Sequence, residues 1–202
     1  LSIEARANLK ALGYTDQELT AAAWHKNTAA GFSIARRDLT QEITEKGIEV
    51  TGQYSQTGHY SARMTQAESG SNERQQISLY GQQNLDNSGS ISAEIKQIDE
   101  QQGQQSQTAL LAALGYRQRI SSSFELYSVV QATVDADDGY ENNDLVTIGG
   151  KYLLASRSNI GAEYATGHRG DTAALDIDYQ VNSDHGIYSR YSWSTDTTSS
   201  LL

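Results

Sequence analysis

The dominant pattern in this chain is an alternation of apolar and polar residues, which recurs in stretches of about ten residues. Near the end of the chain, Leu175, Ile177 and Tyr179 alternate with Asp176 and Asp178. A strand places successive side chains on opposite faces, so one face here is apolar and aromatic and the other carries the charges. The pattern predicts β-strands with two different faces over most of the chain.

Five segments interrupt this alternation in the same way. Each begins and ends on an apolar residue six positions apart, and each interior is rich in Ser, Asn, Asp and Gly, which suit tight turns. We interpret each segment as the turn of a β-hairpin. The five turns run from Tyr54 to Tyr60, Leu85 to Ile91, Ile120 to Leu126, Leu154 to Ile160 and Val181 to Ile187.

The connections between these hairpins are longer and more polar, at residues 68–76, 99–107, 135–144 and 167–171. Tight turns on one side and longer polar loops on the other are typical of outer-membrane barrels. A strand of about ten residues also crosses a bilayer when it is tilted by about 45°. The sequence therefore predicts an all-β fold, an antiparallel up-and-down transmembrane β-barrel of about twelve strands.

The first part of the chain leaves two alternatives open. Residues 1–26 alternate as two further strands, but Ala, Leu, Glu and Lys are frequent there and suit an amphipathic helix. Residues 27–45 form the longest connection, which is placed to cover or enter the lumen. No Gly/Ser-rich linker divides the chain, and glycine and tyrosine occur along its whole length. We expect one barrel domain over residues 1–202.

Composition excludes several classes of protein. The formal net charge of −10 opposes nucleic-acid binding, which depends on Lys and Arg. No apolar run approaches the length of about 20 residues that a membrane-spanning helix needs. Cysteine is absent, so disulfides and thiolate metal sites are excluded. We expect outer-membrane lipid as the main partner, with other subunits of a surface assembly as a further possibility.

The charged face supplies the candidate site residues. When the two ends of each tight turn are taken as opposed residues, Lys151 lies opposite Glu163 and Asp178 lies opposite Arg190. We expect these two pairs to lie in the lumen, where opposite charges fix the strand register. The other charged residues expected to face the lumen are Glu94, Lys96, Arg117, Arg119 and Asp176.

Catalytic and metal-binding patterns are weak. His168 beside Asp171 and His25 near Asn27 are the best candidates for acid–base chemistry, but neither is paired by spacing with a nucleophile. The acidic residues of the loop at 135–144 are of the kind that Ca²⁺ prefers, but they lack the order of an EF-hand loop, and a solvated acidic loop explains them. We predict no enzyme activity, no metal and no cofactor.

Three segments resemble the strand-turn-strand units of Gram-negative outer-membrane barrels: LGYRQRISSSFELYSVVQA, IGGKYLLASRSNIGAEYATG and LDIDYQVNSDHGIYSRYSW. They are most similar to the C-terminal barrel of large surface proteins with repeated extracellular domains. The segment AAAWHKNTAAGFS is similar to a region near the start of that barrel. The resemblance covers residues 15–196 and implies an outer-membrane location, but it brings no catalytic or ligand residue with it.

The chain departs from this family at its end, which reads Thr-Ser-Ser-Leu-Leu instead of ending in an aromatic residue. Twelve strands with periplasmic tight turns would also leave both termini outside the cell. We therefore expect the 202 residues to be part of a longer polypeptide.

Three functions fit the pattern. The first is a membrane anchor or exit barrel of a larger surface protein, which the resemblance favours. The second is a porin-like channel, which the charged inner face favours. The third is a soluble antiparallel β protein that binds a partner, because Gln83, Gln97 and Ser128 interrupt the apolar face.

Overall fold

The computed structural model describes residues 1–29, 33–34, 37–38, 42–85, 88–155, 158–181 and 185–195, with backbone alone at 33–34, 37–38 and 155. In these ranges the protein is all-β. The strands are β1 (Ser2–Asn8), β2 (Leu19–Thr28), β3 (Ser33–Ile34), β4 (Arg37–Asp38), β5 (Ile43–Gln53), β6 (Gly58–Ser69), β7 (Asn72–Asn84), β8 (Gly89–Gln102), β9 (Gln105–Arg119), β10 (Phe124–Ala136), β11 (Leu145–Ala155), β12 (Ser158–Gly167), β13 (Gly170–Gln180) and β14 (Gly186–Ser194).

Twelve of these strands form one sheet in chain order, from β1 and β2 through β5 to β14. Neighbouring strands run antiparallel, so the up-and-down arrangement and the number of twelve strands are confirmed. Within the first 26 residues the chain forms β1, a connection at residues 9–18 and most of β2, and no helix. The long connection is shorter than predicted, at residues 29–42, and β3 and β4 pair within it as a separate two-stranded ribbon.

The chain divides into two compact units, and each is described by itself. Unit 1 comprises Leu1–Gln82, Glu94–Ala112 and Val134–Tyr140, and unit 2 comprises Gln83–Ala93, Ala113–Thr133 and Glu141–Leu202.

The tight turns lie where the sequence predicts them. Four of them are closed in the same way, by an amide that donates to the carbonyl four residues further on: Tyr54 to Gly58, Leu85 to Gly89, Ile120 to Phe124 and Val181 to His185. For three of the four predicted polar loops, however, the prediction is wrong. Residues 68–76, 99–107 and 167–171 are mostly strand, and only two residues lie between the strands in each.

Two of these hairpins are tight because a glycine supplies the positive φ that a two-residue connection needs, at Gly70 (φ 61°) and Gly103 (φ 63°). In the third, the positive φ is at Gly170 (φ 110°), the first residue of β13. The polar composition of these segments predicts loops. That prediction is wrong because the polar side chains lie on strands, where they pair with one another. Only the predicted loop at 135–144 connects its strands by a longer segment, residues 137–144.

Both predicted charge pairs are wrong in register. Lys151 lies opposite Gly161, and Glu163 lies opposite Gly149. The register shifts by one residue at an irregularity between Leu153 and Ala155, and the pairs beyond it stand two residues away from the predicted register.

The last hairpin is displaced by the same amount. Its closing bond pairs Val181 with His185, so that Asp178 lies opposite Tyr188 and Arg190 lies opposite Asp176. A displacement by two residues leaves each side chain on its original face, whereas a displacement by one would have reversed every face. The division into two faces is therefore correct although the pairs are not.

Candidate functional site on the polar face

The sheet has two chemically distinct faces, and strand register identifies which residues share each one. We call one of them the polar face. Register assigns to it the even-numbered residues of β1, β2, β13 and β14 and the odd-numbered residues of β5, β6 and β10–β12. Side-chain contacts add the even-numbered residues of β7 and β8 and the odd-numbered residues of β9, since the His59 ring lies beside the Tyr80 ring, Arg74 contacts Glu100, and Arg117 contacts Glu125. The opposite side is the apolar face.

In each unit the apolar face is the more exposed one. In unit 1, Ile48 is 57% exposed, whereas the side chain of Glu100 on the polar face is 25% exposed. In unit 2, Ile148 is 60% exposed, whereas the Glu125 side chain is 24% exposed. Strand β13 shows the alternation most clearly, because Leu175, Ile177 and Tyr179 are exposed while Asp176 and Asp178 are half-buried. This arrangement is the reverse of that in water-soluble proteins.

The polar face is nearly balanced in charge. Among the residues that the structure describes, it carries nine basic and ten acidic side chains, whereas the whole chain has a net charge of −10. The excess of acid therefore lies mostly elsewhere. The basic residues are Arg6, Lys26, Arg63, Arg74, Lys96, Arg117, Arg119, Lys151 and Arg190, and the acidic ones are Glu4, Glu45, Glu49, Glu94, Glu100, Glu125, Asp135, Glu163, Asp176 and Asp178.

In unit 2, a tyrosine and a carboxylate connect three adjacent strands of the polar face. The Tyr127 ring of β10 lies across Gly149 of β11, where a Cβ would come within 2.3 Å of the ring. Its hydroxyl donates to Glu163 Oε2 of β12 at 2.6 Å. Glu163 Oε1 lies 3.6 Å from Arg190 Nη2. Glycine is required at position 149 because any side chain would displace the tyrosine.

The predicted site residues Asp176 and Arg190 do lie together, although not as sequence arithmetic paired them. Arg190 is directly opposite Asp176, whose carboxylate lies over Gly161 of β12, 2.5 Å from where a Cβ would be. Arg190 thus contacts the Glu163 carboxylate and lies directly opposite Asp176. Asp178 lies one step further along the same face, opposite Asn159 and Tyr188.

The predicted residues Arg117, Arg119 and Lys151 line a cleft of about 240 Å³ at the tight-turn end of unit 2, together with Glu125. Arg117 Nη1 lies 3.4 Å from Glu125 Oε1, and Lys151 is directly opposite Glu125. Glu125, which the sequence analysis did not single out, is thus the carboxylate beside two of these cations. The cleft keeps a positive charge because it has three cations and one carboxylate.

In unit 1, the predicted residues Glu94 and Lys96 contact each other, with Lys96 Nζ 3.1 Å from Glu94 Oε1. A second pair, Arg74 and Glu100, joins β7 to β8 at 3.1 Å. Beside these pairs the polar face carries a small buried apolar cluster. Its members are Ile98, Ala109 and Leu111.

Unit 1 also contains an aromatic side chain that covers a glycine. The Trp24 ring of β2 lies across Gly47 of β5, where a Cβ would come within 2.3 Å of the ring. The Arg63 guanidinium of β6 lies 4.9 Å from the centre of the Trp24 ring, which is the geometry of a cation–π interaction. The sequence pattern alone did not predict this group or the Tyr127 group. The signal that could have indicated them is a glycine inside a strand pattern, because it marks a place where another group approaches the backbone closely.

The apolar face ends early on β5 to β8. Lys46 Nζ lies 3.3 Å from Glu68 Oε1, and Gln66 Nε2 donates to Glu68 and Glu73. Gln97 donates to Asp99 on the next strand position of the same face. These polar residues lie beyond the last aliphatic residues that their strands place on the apolar face, at the end opposite the tight turns.

Within the described part of the chain, no group of three or more His, Asp or Glu side chains is placed to hold a metal ion. His168 is exposed in a two-residue turn. In the acidic loop, Asp137 Oδ2 accepts a hydrogen bond from the Thr108 amide at 2.8 Å, and Asp144 Oδ1 accepts one from the Thr133 amide at 2.7 Å. These two carboxylates satisfy backbone donors at strand ends. No helix within the described ranges is long and apolar enough to cross a membrane.

The described residues define an all-β protein whose antiparallel sheet exposes large apolar side chains on one face and carries most of its ion pairs on the other. No protein-family model matches the chain, and no curated protein matches its sequence. Among solved structures, the chain is similar to one described as "KdgM porin", with a TM-score of 0.48 and 10% sequence identity. The match covers 96% of this chain and 99% of that one.

Proposed function

We propose that this chain forms a β-barrel in the outer membrane of a Gram-negative bacterium, and that its polar face lines a channel for small hydrophilic solutes. The observation that carries the proposal is the reversed exposure of the two faces. Large aliphatic and aromatic side chains are exposed along strand after strand, as with Ile48, Ile95, Ile148 and Ile177. An apolar surface on this scale needs lipid or a partner to cover it.

The free-energy cost of placing charged side chains in lipid also favours an orientation in which the apolar face contacts lipid. A Lys or Arg that faces the middle of a bilayer costs about 2–4 kcal/mol, and the polar face carries nine such residues. These residues are tolerated only where water and counter-charges surround them. On the proposed orientation the polar pairs Lys46–Glu68 and Gln97–Asp99 lie outside the hydrocarbon region, because they extend past the end of the apolar band.

Conductance in planar bilayers tests the channel. We expect discrete single-channel steps from protein that shows heat-modifiable gel migration, which is the mark of a folded barrel. Because the polar face is nearly neutral, the permeabilities of potassium and chloride should be similar. Glu163→Lys should shift the selectivity towards chloride and Arg190→Glu towards potassium, since both side chains lie on the same wall. A folded barrel that shows no conductance would contradict the channel.

The second candidate function is a membrane anchor or exit barrel of a larger surface protein. The ion pairs Arg74–Glu100 and Arg117–Glu125 and the buried apolar cluster around Ile98 favour it, because they fill space on the polar face. On this account, the barrel inserts in membranes without conducting. Removing Ile98 and Leu111 together, as I98A/L111A, should then open a conductance that the unaltered protein lacks.

A further inference from the structure

We infer that the tight-turn end of unit 1 holds a binding site for neutral saccharides; as the solute site of a channel, it rests on the function proposed above. A cleft of about 390 Å³ lies there on the polar face, between the ends of β2, β5, β6 and β7. Its size suits a small organic solute. The groups that we assign to recognition are Thr20, Thr51, Gln53, His59, Ser61 and Tyr80.

Three hydroxyl groups form a row across this cleft. Thr20 lies directly opposite Thr51, and Thr51 lies directly opposite Ser61, so the row crosses β2, β5 and β6. Adjacent strands are about 4.8 Å apart, so the three residues of the row follow one another at about that spacing. Each hydroxyl both donates and accepts hydrogen bonds, as the hydroxyl groups of a sugar do. The row therefore matches a polyhydroxylated ligand better than it matches an ion.

Two rings and an amide complete the cleft. The His59 and Tyr80 rings have centroids 6.1 Å apart and are tilted by 43°. The Tyr80 hydroxyl donates to Gln82 Oε1 at 2.7 Å, which fixes the ring in place. Gln53 lies directly opposite His59 and supplies both a donor and an acceptor. An aromatic face beside hydroxyl and amide groups can contact the C–H face of a sugar while its hydroxyls are bound.

The charges of the cleft indicate a neutral ligand. No lysine or arginine lines it, so an anion has no counter-charge there. Its two carboxylates already have cationic neighbours. Lys10 Nζ lies 2.6 Å from Glu18 Oε1, and Glu49 lies directly opposite Arg63. A cationic ligand would have to compete with Lys10 for Glu18, whereas a neutral sugar leaves that ion pair in place.

The test measures binding of maltotriose, cellotriose and raffinose to the refolded full chain by saturation-transfer NMR and calorimetry. Spermidine and a uronic-acid trimer serve as the cationic and anionic probes. We expect at least one neutral sugar to bind more tightly than either charged probe. Thr51→Val should weaken this binding about two- to tenfold, as expected for one neutral hydrogen bond, and Tyr80→Ala should weaken it at least as much.

Thr147→Val is the matched control, because Thr147 is a threonine of the polar face that lies in unit 2. It should leave the binding unchanged. Tighter binding of spermidine that is lost in Glu49→Gln would overturn the assignment to neutral sugars. Failure of all three sugars to bind to protein that conducts would overturn the site and leave the channel standing. Sugar binding by a folded barrel that never conducts would support the site and contradict the channel.

Discussion

Trp24 in unit 1 and Tyr127 in unit 2 both pack across a glycine of the neighbouring strand, but the two rings interact with oppositely charged groups. Each ring lies across a glycine of the next strand in the sheet, Gly47 in the first case and Gly149 in the second. Trp24 then holds a cation on its π face, whereas the Tyr127 hydroxyl holds a carboxylate that in turn contacts Arg190. In both cases the glycine determines where the ring lies. The chemistry of the ring then determines whether it holds a cation, as Trp24 does, or a carboxylate, as Tyr127 does.

The largest effect should follow from filling the space above either glycine. Gly149→Ala and Gly47→Ala each place a methyl group within 2.3 Å of a ring atom, so the ring must move. We expect each substitution to lower the free energy of unfolding by about 1–3 kcal/mol, measured by urea titration in detergent or lipid. Gly81→Ala is the matched control, since its Cβ would meet nothing within 4 Å. Equal losses in all three variants would refute the role of the rings.

Removing only the hydroxyl of Tyr127 should have a smaller effect that separates the two regions. Tyr127→Phe keeps the ring over Gly149 but leaves Glu163 without its 2.6 Å donor. A hydrogen bond to a charged group contributes about 1.5–3 kcal/mol, and partial exposure of Glu163 reduces our expectation to about 1 kcal/mol. The same urea titration measures it. An unchanged stability would mean that the ring alone holds this part of the sheet.

The two faces of the strands can be predicted from the sequence, because apolar and polar residues must alternate every two positions in a strand with one buried and one exposed side. For that reason the twelve strands and the polar-face positions of Glu94, Asp176 and Arg190 follow from the pattern. The pairing does not follow, because the bond between Val181 and His185 and the irregularity at Leu153 depend on local turn geometry. Polar strand ends such as residues 66–76 also resemble loops in composition.

The candidate site could be predicted only in part. Charges on alternate positions identify its members, but the contacts of Glu163 with Tyr127 and Arg190 join residues far apart in sequence. The row Thr20, Thr51 and Ser61 likewise depends on the register of three strands. No spacing within one strand reveals a group that forms across several strands.

The smallest expected effect concerns the connection at 9–18. The hydrogen bond from Lys10 lowers the pKa of Glu18 below its ordinary value, with a further contribution from Asn8. The stabilisation is complete above the pKa of Glu18 in the unfolded chain and is lost as the pH falls through the lowered pKa of the folded state. Lys10→Met should return this pKa towards its ordinary value in an NMR titration. A pKa unaffected by the substitution would assign the shift to Asn8.

Cysteine scanning along β13 tests the central claim, that the apolar face contacts lipid and the polar face contacts water. The chain has no native cysteine, so each introduced thiol carries the only spin label. Labels at residues 174, 176 and 178 of the bilayer-inserted protein should be accessible to a water-soluble nickel reagent. Labels at residues 175, 177 and 179 should be accessible to oxygen dissolved in lipid. A reversed alternation, or uniform exposure to the nickel reagent, would contradict the membrane barrel.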